Sequence, residues 1–169
     1  DENPFLSDFY DDISKWSFQT EMFFLCNRYK QAKDIAKMTQ GVVSDYHIYK
    51  NKIFARNTLS NNEFDKFDRI FDILTEDLEM PNMIIFLDAD LEVLKQRIAQ
   101  RNRSFEHHIE DDYLLNLKED YLTFYNAMKS EGANVVLINT SEIDFVKNDS
   151  DYQSILEKIR PMIGAIEHE

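Results

Sequence analysis

Three short, unbroken apolar runs constrain this chain more than anything else in it: Gly41-Val42-Val43-Ser44, Met83-Ile84-Ile85-Phe86-Leu87 and Asn134-Val135-Val136-Leu137-Ile138. Each follows or opens on a turn signal: Gly41, Pro81-Asn82 and Gly132. Runs this short, with no polar alternation, predict strands buried on both faces. Helical spacing fills the rest. Ser14 to about Met38 carries Phe18, Met22, Leu25 and Tyr29, and Ser60 to Leu78 carries Phe64, Phe67, Ile70, Phe71 and Leu74. Further helices are predicted from Leu91 to about Gln100, from Asp111 to Lys129 and from Asp151 to Ile163. The Phe64, Phe67, Phe71 stripe is assigned to the core. Strands alternating with helices predict an α/β fold, a parallel sheet covered by helices on both faces. No linker divides the 169 residues, which suit a single domain with its own core. Three strands are few for such a sheet, so further strands are expected upstream of Asp1.

Charge and cysteine usage narrow the partners. The net charge of −13 opposes a nucleic-acid polymer or an anionic membrane, whereas a local arginine cluster can still hold a small anion. A single cysteine, Cys26, allows no intrachain disulfide, and a reduced, cytoplasmic home is expected. No 18-residue apolar run or signal-peptide pattern occurs.

In parallel α/β sheets, ligands bind beyond the carboxyl ends of the strands. That directs attention to Asp45, Asp88 and Asn139, which follow the three runs. Asp45 could hold a magnesium ion or cap the helix beginning near Ile48. Arg97, Arg101 and Arg103 fall at the end of a predicted helix. They suit a polyphosphate, because each guanidinium offers paired donors, but they equally suit a helix C-terminus in solvent. Glu21 lies inside an apolar helical stretch, with Arg28 two turns along the same face. The pair reads either as a structural salt bridge or as a polar reader of a ligand, since a buried carboxylate needs a partner. Adjacent His107 and His108, with no third ligand in register, make a poor metal site. The acid pairs Asp11-Asp12 and Asp111-Asp112 read as solvated helix starts.

Taken together, these residues resemble the deoxynucleoside kinases, and within them the bacterial deoxyguanosine kinases, from Asp1 to about Ile163. The opening Asn3-Pro4-Phe5-Leu6, followed by Phe9-Tyr10 and Lys15-Trp16-Ser17-Phe18, is similar to the family's segment after its second strand. The resemblance implies a P-loop kinase-like fold. It also implies transfer of the γ-phosphate of ATP, with Mg2+, to the 5′-hydroxyl of a purine deoxynucleoside in nucleotide salvage. By the same resemblance Tyr10 and Glu106 hold the sugar, Glu21 and Arg28 read the base, and Phe54 stacks on it. Glutamate at position 21, where most relatives have glutamine, points to deoxyguanosine. Arg97 packs on the donor adenine, Asp144 and Phe145 line its pocket, Arg101 and Arg103 clamp the phosphates, and Asp45 is linked to the metal. A homodimer joined through helices is implied as well.

Two departures qualify the match. The family's Asp-Arg-Ser or Glu-Arg-Ser reads Asp45-Tyr46-His47 here, so the arginine at the 5′ end of the acceptor is replaced, with Lys50 or His47 as the candidate substitutes. No Gly-x-x-x-x-Gly-Lys-Ser/Thr occurs in these residues, and the family's catalytic glutamate aligns ahead of Asp1. Both are expected upstream, Asp1 or Glu2 as base being the lesser reading, and the 169-residue chain alone is expected to be inactive. The alternatives are a nucleoside monophosphate kinase of the same fold class and a non-catalytic nucleotide-binding or dimer-forming remnant.

Overall fold

The structure, a computed structural model, describes residues 3–103 and 109–166. Glu106, His107, His108, Asp1 and Glu2 lie outside the described residues. The described chain runs α1 (Leu6–Asp11), α2 (Ile13–Ile35), α3 (Tyr49–Thr58), α4 (Asn61–Thr75), β1 (Ile84–Asp88), α5 (Leu91–Arg101), α6 (Asp111–Ser130), β2 (Val135–Asn139) and α7 (Asp149–Ile166). These elements form two compact units, one from residues 3–79 and 109–117, the other from 80–103 and 118–166.

The first unit is helical. α2 starts where the Asp12 carboxylate accepts the Lys15 amide, an N-cap that satisfies a donor the helix leaves open. Ahead of it, Asn3 is buried and acts as a bracket. Its Nδ2 donates to the Thr20 carbonyl at 3.1 Å, and its Oδ1 accepts the Phe5 amide at 3.0 Å. The Asn-Pro opening therefore pins the chain onto α2 beside Glu21. Ser60 starts α4 through a capping box, its amide and hydroxyl both donating to Glu63 Oε2. The aromatic stripe of α4 is core as expected: Phe67 and Phe71 are fully buried with Leu25 of α2 and Ala55 of α3, and Phe64 packs against them. Lys52 ties α3 to α4 through Asp68 at 2.5 Å and Asp72 at 3.5 Å.

The second unit carries the sheet. β1 and β2 pair in parallel, Ile84 with Val135 through Asp88 with Asn139. Phe86, Val135 and Met128 form its core, with Tyr121, Phe124 and Tyr125 of α6 packed on it. Ile85 and Leu87 alternate onto the other face of β1 and are exposed.

The third expected strand does not form. Residues 41–44 have no strand assignment, and the Val43 side chain is fully exposed. An apolar run signals a preference for burial, but a strand exists only through hydrogen bonds to a neighbour. Among the described residues, only β1 and β2 supply that pairing.

Candidate active site

Glu21 is the most unusual group in the first unit. It is 3% exposed, and its described hydrogen-bond partner is the Thr58 hydroxyl, 3.3 Å from Oε1. Burial pushes its carboxyl up to about 8, with the Thr58 bond opposing. The salt bridge with Arg28, one of the two sequence readings, is not among the described ion pairs. Arg28 instead donates from Nη1 to Gln31 Oε1 at 2.6 Å, and its guanidinium lies 3.9 Å from the centre of the Tyr46 ring. Arg28 Nε is buried with no partner among the described residues, as are Thr20 Oγ1 and Asn51 Nδ2.

Tyr46 organises this region. Its φ of +98° is a backbone state that a bulky L-residue adopts only when its surroundings hold it there. The hydroxyl donates to Asn51 Oδ1 at 3.0 Å, and Ser44 Oγ donates to the Tyr46 carbonyl. Burial raises the phenol to about 12, Arg28 lowering it and Glu21 adding to the rise. The Lys50 ammonium lies over both the Tyr46 ring, at 4.8 Å, and the Phe54 ring, at 5.4 Å. Phe54 is therefore brought to the same group of side chains as Arg28. Tyr10 packs edge-on against Phe9.

Tyr113, in the first turn of α6, was not identified from sequence. Burial raises its hydroxyl far above the ordinary range, and the charges of Glu21 and Tyr10 add to the shift. It thus faces both residues assigned to acceptor recognition. No spacing rule could have found it, because it is more than 90 positions from Glu21.

Asp45 is exposed on a bend and does not cap α3, whose N-cap is Ile48. Among the described residues no cluster of three metal-ligating side chains exists. One accessible carboxylate nonetheless fits magnesium, which binds through one or two carboxylates together with phosphates and water. His47 stacks on Tyr49 at 5.1 Å, and burial lowers its pKa, which favours the neutral imidazole.

In the second unit, Asp88 meets the Lys118 ammonium at 3.0 Å, and the same ammonium donates to the Ala89 carbonyl at 2.8 Å. The acid after β1 is thus neutralised in place. Arg97 donates to Thr140 Oγ1 at 2.8 Å and to the Thr140 carbonyl at 2.7 Å, fastening α5 to the loop after β2. In that loop Asp144 Oδ1 accepts the amides of Val146 and Lys147, and the Lys147 amide holds its carboxyl below the usual range. Phe145 is half-buried beside it. Asn139 Oδ1 accepts the Ser141 amide, and Asp90, Asn139, Ser141, Glu142 and Ile143 line a cleft of about 330 Å3 beyond the carboxyl ends of the strands. Arg101 is exposed in the last turn of α5, and Arg103 is exposed just beyond Asn102, whose left-handed backbone (φ 48°) ends the helix.

Comparison with known proteins identifies the family. The family described as deoxynucleoside kinase matches residues 1–164. The chain is 43% identical to the deoxyguanosine kinase of Bacillus subtilis (strain 168), over 96% of this chain and 82% of that one. It is 28% identical to the deoxyadenosine/deoxycytidine kinase of the same organism, over 96% and 78%. Among solved structures, deoxyadenosine kinase from M. mycoides with dCMP and a flexible dCDP bound superposes with a TM-score of 0.80 at 20% identity, over 95% and 82% of the two chains. That likeness shows the α/β P-loop kinase fold. The chain belongs to the deoxynucleoside kinase family, as a phosphotransferase that phosphorylates a deoxynucleoside.

Proposed function

We propose that the acceptor is deoxyguanosine, phosphorylated at its 5′-hydroxyl by ATP in nucleotide salvage. The observation that carries this is Glu21: a buried carboxyl without a described ion-pair partner, on the same unit as the aromatic ring of Phe54. An ionised carboxylate only accepts hydrogen bonds, and guanine presents two adjacent donors, N1–H and the 2-amino group. Adenine sets the lone pair of N1 against the carboxylate. Arg28 supports the reading as a donor for O6 or N7, and Phe54 as the stacking ring. Tyr10 and Glu106 are the sugar ligands in this scheme, and Tyr113 faces Tyr10.

Apart from Asp45, which lies in the first unit, donor and transfer functions fall on the second unit, and we read both units as one catalytic domain. Arg97 secures the loop carrying Asp144 and Phe145, which supports that loop as the adenine pocket. Arg101 and Arg103 stabilise charge on the migrating phosphoryl group. Asp45 would hold Mg2+ together with the nucleotide phosphates, and that ion supplies charge neutralisation on them. Lys50 rather than His47 supplies positive charge near the acceptor: its ammonium lies over Phe54, whereas His47 is half-buried on Tyr49 and its pKa is lowered by burial. A neutral nucleoside fits the Tyr10, Glu21 and Phe54 set better than a monophosphate, which would need its own anion site. A cytoplasmic homodimer completes the reading.

The test is kcat/KM of the active enzyme for deoxyguanosine, deoxyinosine and deoxyadenosine at pH 9, above the raised pKa of Glu21, where its carboxyl is ionised. We expect that order of preference, with deoxyguanosine ahead of deoxyadenosine by on the order of 10²–10⁴-fold. Glu21→Gln restores a donor beside adenine N1 and should shrink the ratio. A parent enzyme that favours deoxyadenosine, or a ratio untouched by Glu21→Gln, refutes the assignment.

A further inference from the structure

A buried acid and an arginine two turns apart on one helix ought to find each other. Seven residues rise about 10 Å along a helix, a gap that extended glutamate and arginine side chains bridge between them. In a poorly solvated site their attraction exceeds its value in water several-fold. Yet Arg28 turns to Gln31 and onto the face of Tyr46, while Glu21 keeps the Thr58 hydroxyl. Something holds them apart.

We infer that Tyr46 is a positioning residue, a spacer whose ring captures Arg28 and keeps it from collapsing onto Glu21, so that the carboxyl stays open to a ligand's hydrogen-bond donors. This rests on the reading of Glu21 as the base-recognising group. Four observations carry it. The Arg28 guanidinium sits 3.9 Å from the ring centre, close enough that it must lie against the face. Lys50 lies over the same ring, so the ring gathers two cations. The ring is fixed from three directions, by its hydroxyl on Asn51, by Ser44 on its carbonyl and by a left-handed backbone that a tyrosine does not adopt for nothing. Arg28 Nε remains buried without a described partner, so the guanidinium is not fully satisfied where the ring holds it.

The charged and titratable groups gathered around Glu21 and the Tyr46 ring, among the described residues, are Arg28 from α2, Tyr46 from the turn before α3, Lys50 from α3, and Tyr113 from α6, with Tyr10 beyond Tyr113. Thr58 of α3 adds an uncharged hydroxyl. Two of these, Arg28 and Lys50, carry positive charge, and Arg28 shares Glu21's helix. Removing the ring should therefore release Arg28 to reach and ionise Glu21, and Arg28→Met separates its effect from that of Lys50.

The experiment is a titration of the full chain labelled with 13C at the glutamate carboxyls, Glu21 being assigned by its loss in Glu21→Gln. Tyr46→Gly removes the ring and suits the positive φ, so the backbone does not oppose folding; Tyr46→Asn, which also tolerates positive φ, carries the same comparison if the glycine variant does not fold. In either variant Glu21 should titrate at least about two units lower than in the parent. Tyr46→Phe, which keeps the ring, should stay within about half a unit. Adding Arg28→Met to the ring-less variant should return Glu21 to the parental value. The idea fails if Glu21 does not move when the ring is lost. It fails equally if Glu21 stays low after Arg28→Met, because water entering the space, or Lys50 freed from the same ring, would then be the cause. The titration is read without nucleoside, so it stands or falls apart from the base preference tested by Glu21→Gln.

Discussion

A carboxyl whose pKa is raised to about 8 makes the molecule's stability and its selectivity depend on the same proton. In the unfolded chain Glu21 titrates near 4.5, so between 4.5 and 8 the folded state retains a proton that the unfolded state has lost. The folded state is then favoured less as pH rises through that window, and the loss is complete above the folded value. The full shift corresponds to on the order of 5 kcal/mol. Comparing urea unfolding of the parent with that of Glu21→Gln from pH 5 to 9 isolates this group. The parent should lose several kcal/mol relative to the variant, and parallel curves would mean the carboxyl is ionised throughout. The same proton bears on recognition. Neutral Glu21 both donates and accepts, as an amide does, and so admits adenine; ionised Glu21 favours guanine. The ratio of kcat/KM for deoxyguanosine over deoxyadenosine should therefore widen from pH 6 to 9, and a flat ratio would detach base choice from Glu21. The burial behind this behaviour was only half legible. A charge amid Phe18, Met22, Phe23 and Leu25 announced a buried acid, but the choice between Arg28 and Thr58 as its partner depended on Tyr46, which no spacing links to either.

Among the elements, the helices followed the sequence closely and the strands only in part. Ser60 with Glu63 and Asp12 with Lys15 are local signals, complete within one turn, so the starts of α4 and α2 could be read directly. The runs at 84–88 and 135–139 pair with each other, whereas the run at 41–44 has no partner edge among the described residues and forms no strand. The end of α5 carries the arginines assigned to transfer. If Arg101 and Arg103 act on charge in the transition state, Arg101→Ala or Arg103→Ala in the active enzyme should lower kcat by roughly 10²-fold or more and leave nucleoside binding nearly intact. Steady-state kinetics beside nucleoside Kd measurements decide it; weakened binding with unchanged kcat would mean that the end of α5 does not act on the migrating phosphoryl group. Arg97, on the same helix, works differently, since its bonds to Thr140 hold a loop in place.

For the molecule as a whole, the described residues assigned to the acceptor fall in the first compact unit and those assigned to the donor in the second, with the metal-linked Asp45 in the first. The 169 residues contain no Gly-x-x-x-x-Gly-Lys-Ser/Thr to cradle donor phosphates with backbone amides and a lysine. We predict that a polypeptide of these residues alone, given ATP, Mg2+ and any deoxynucleoside, yields no measurable deoxynucleotide; robust turnover by it would overturn the division of labour proposed for the donor side. What the sequence determined by itself was whatever is written locally: helix starts, the aromatic core of α4, the two pairing runs, and motifs ordered closely enough to reveal the family. What only the tertiary structure decided was the company each side chain keeps. Tyr113 facing Glu21, Lys118 neutralising Asp88, Arg97 bound to Thr140 and Tyr46 drawing Arg28 aside all join residues far apart in the chain or in an uncommon backbone state. Such pairings follow from how the elements pack, and packing is a property of the folded whole that no window of sequence contains.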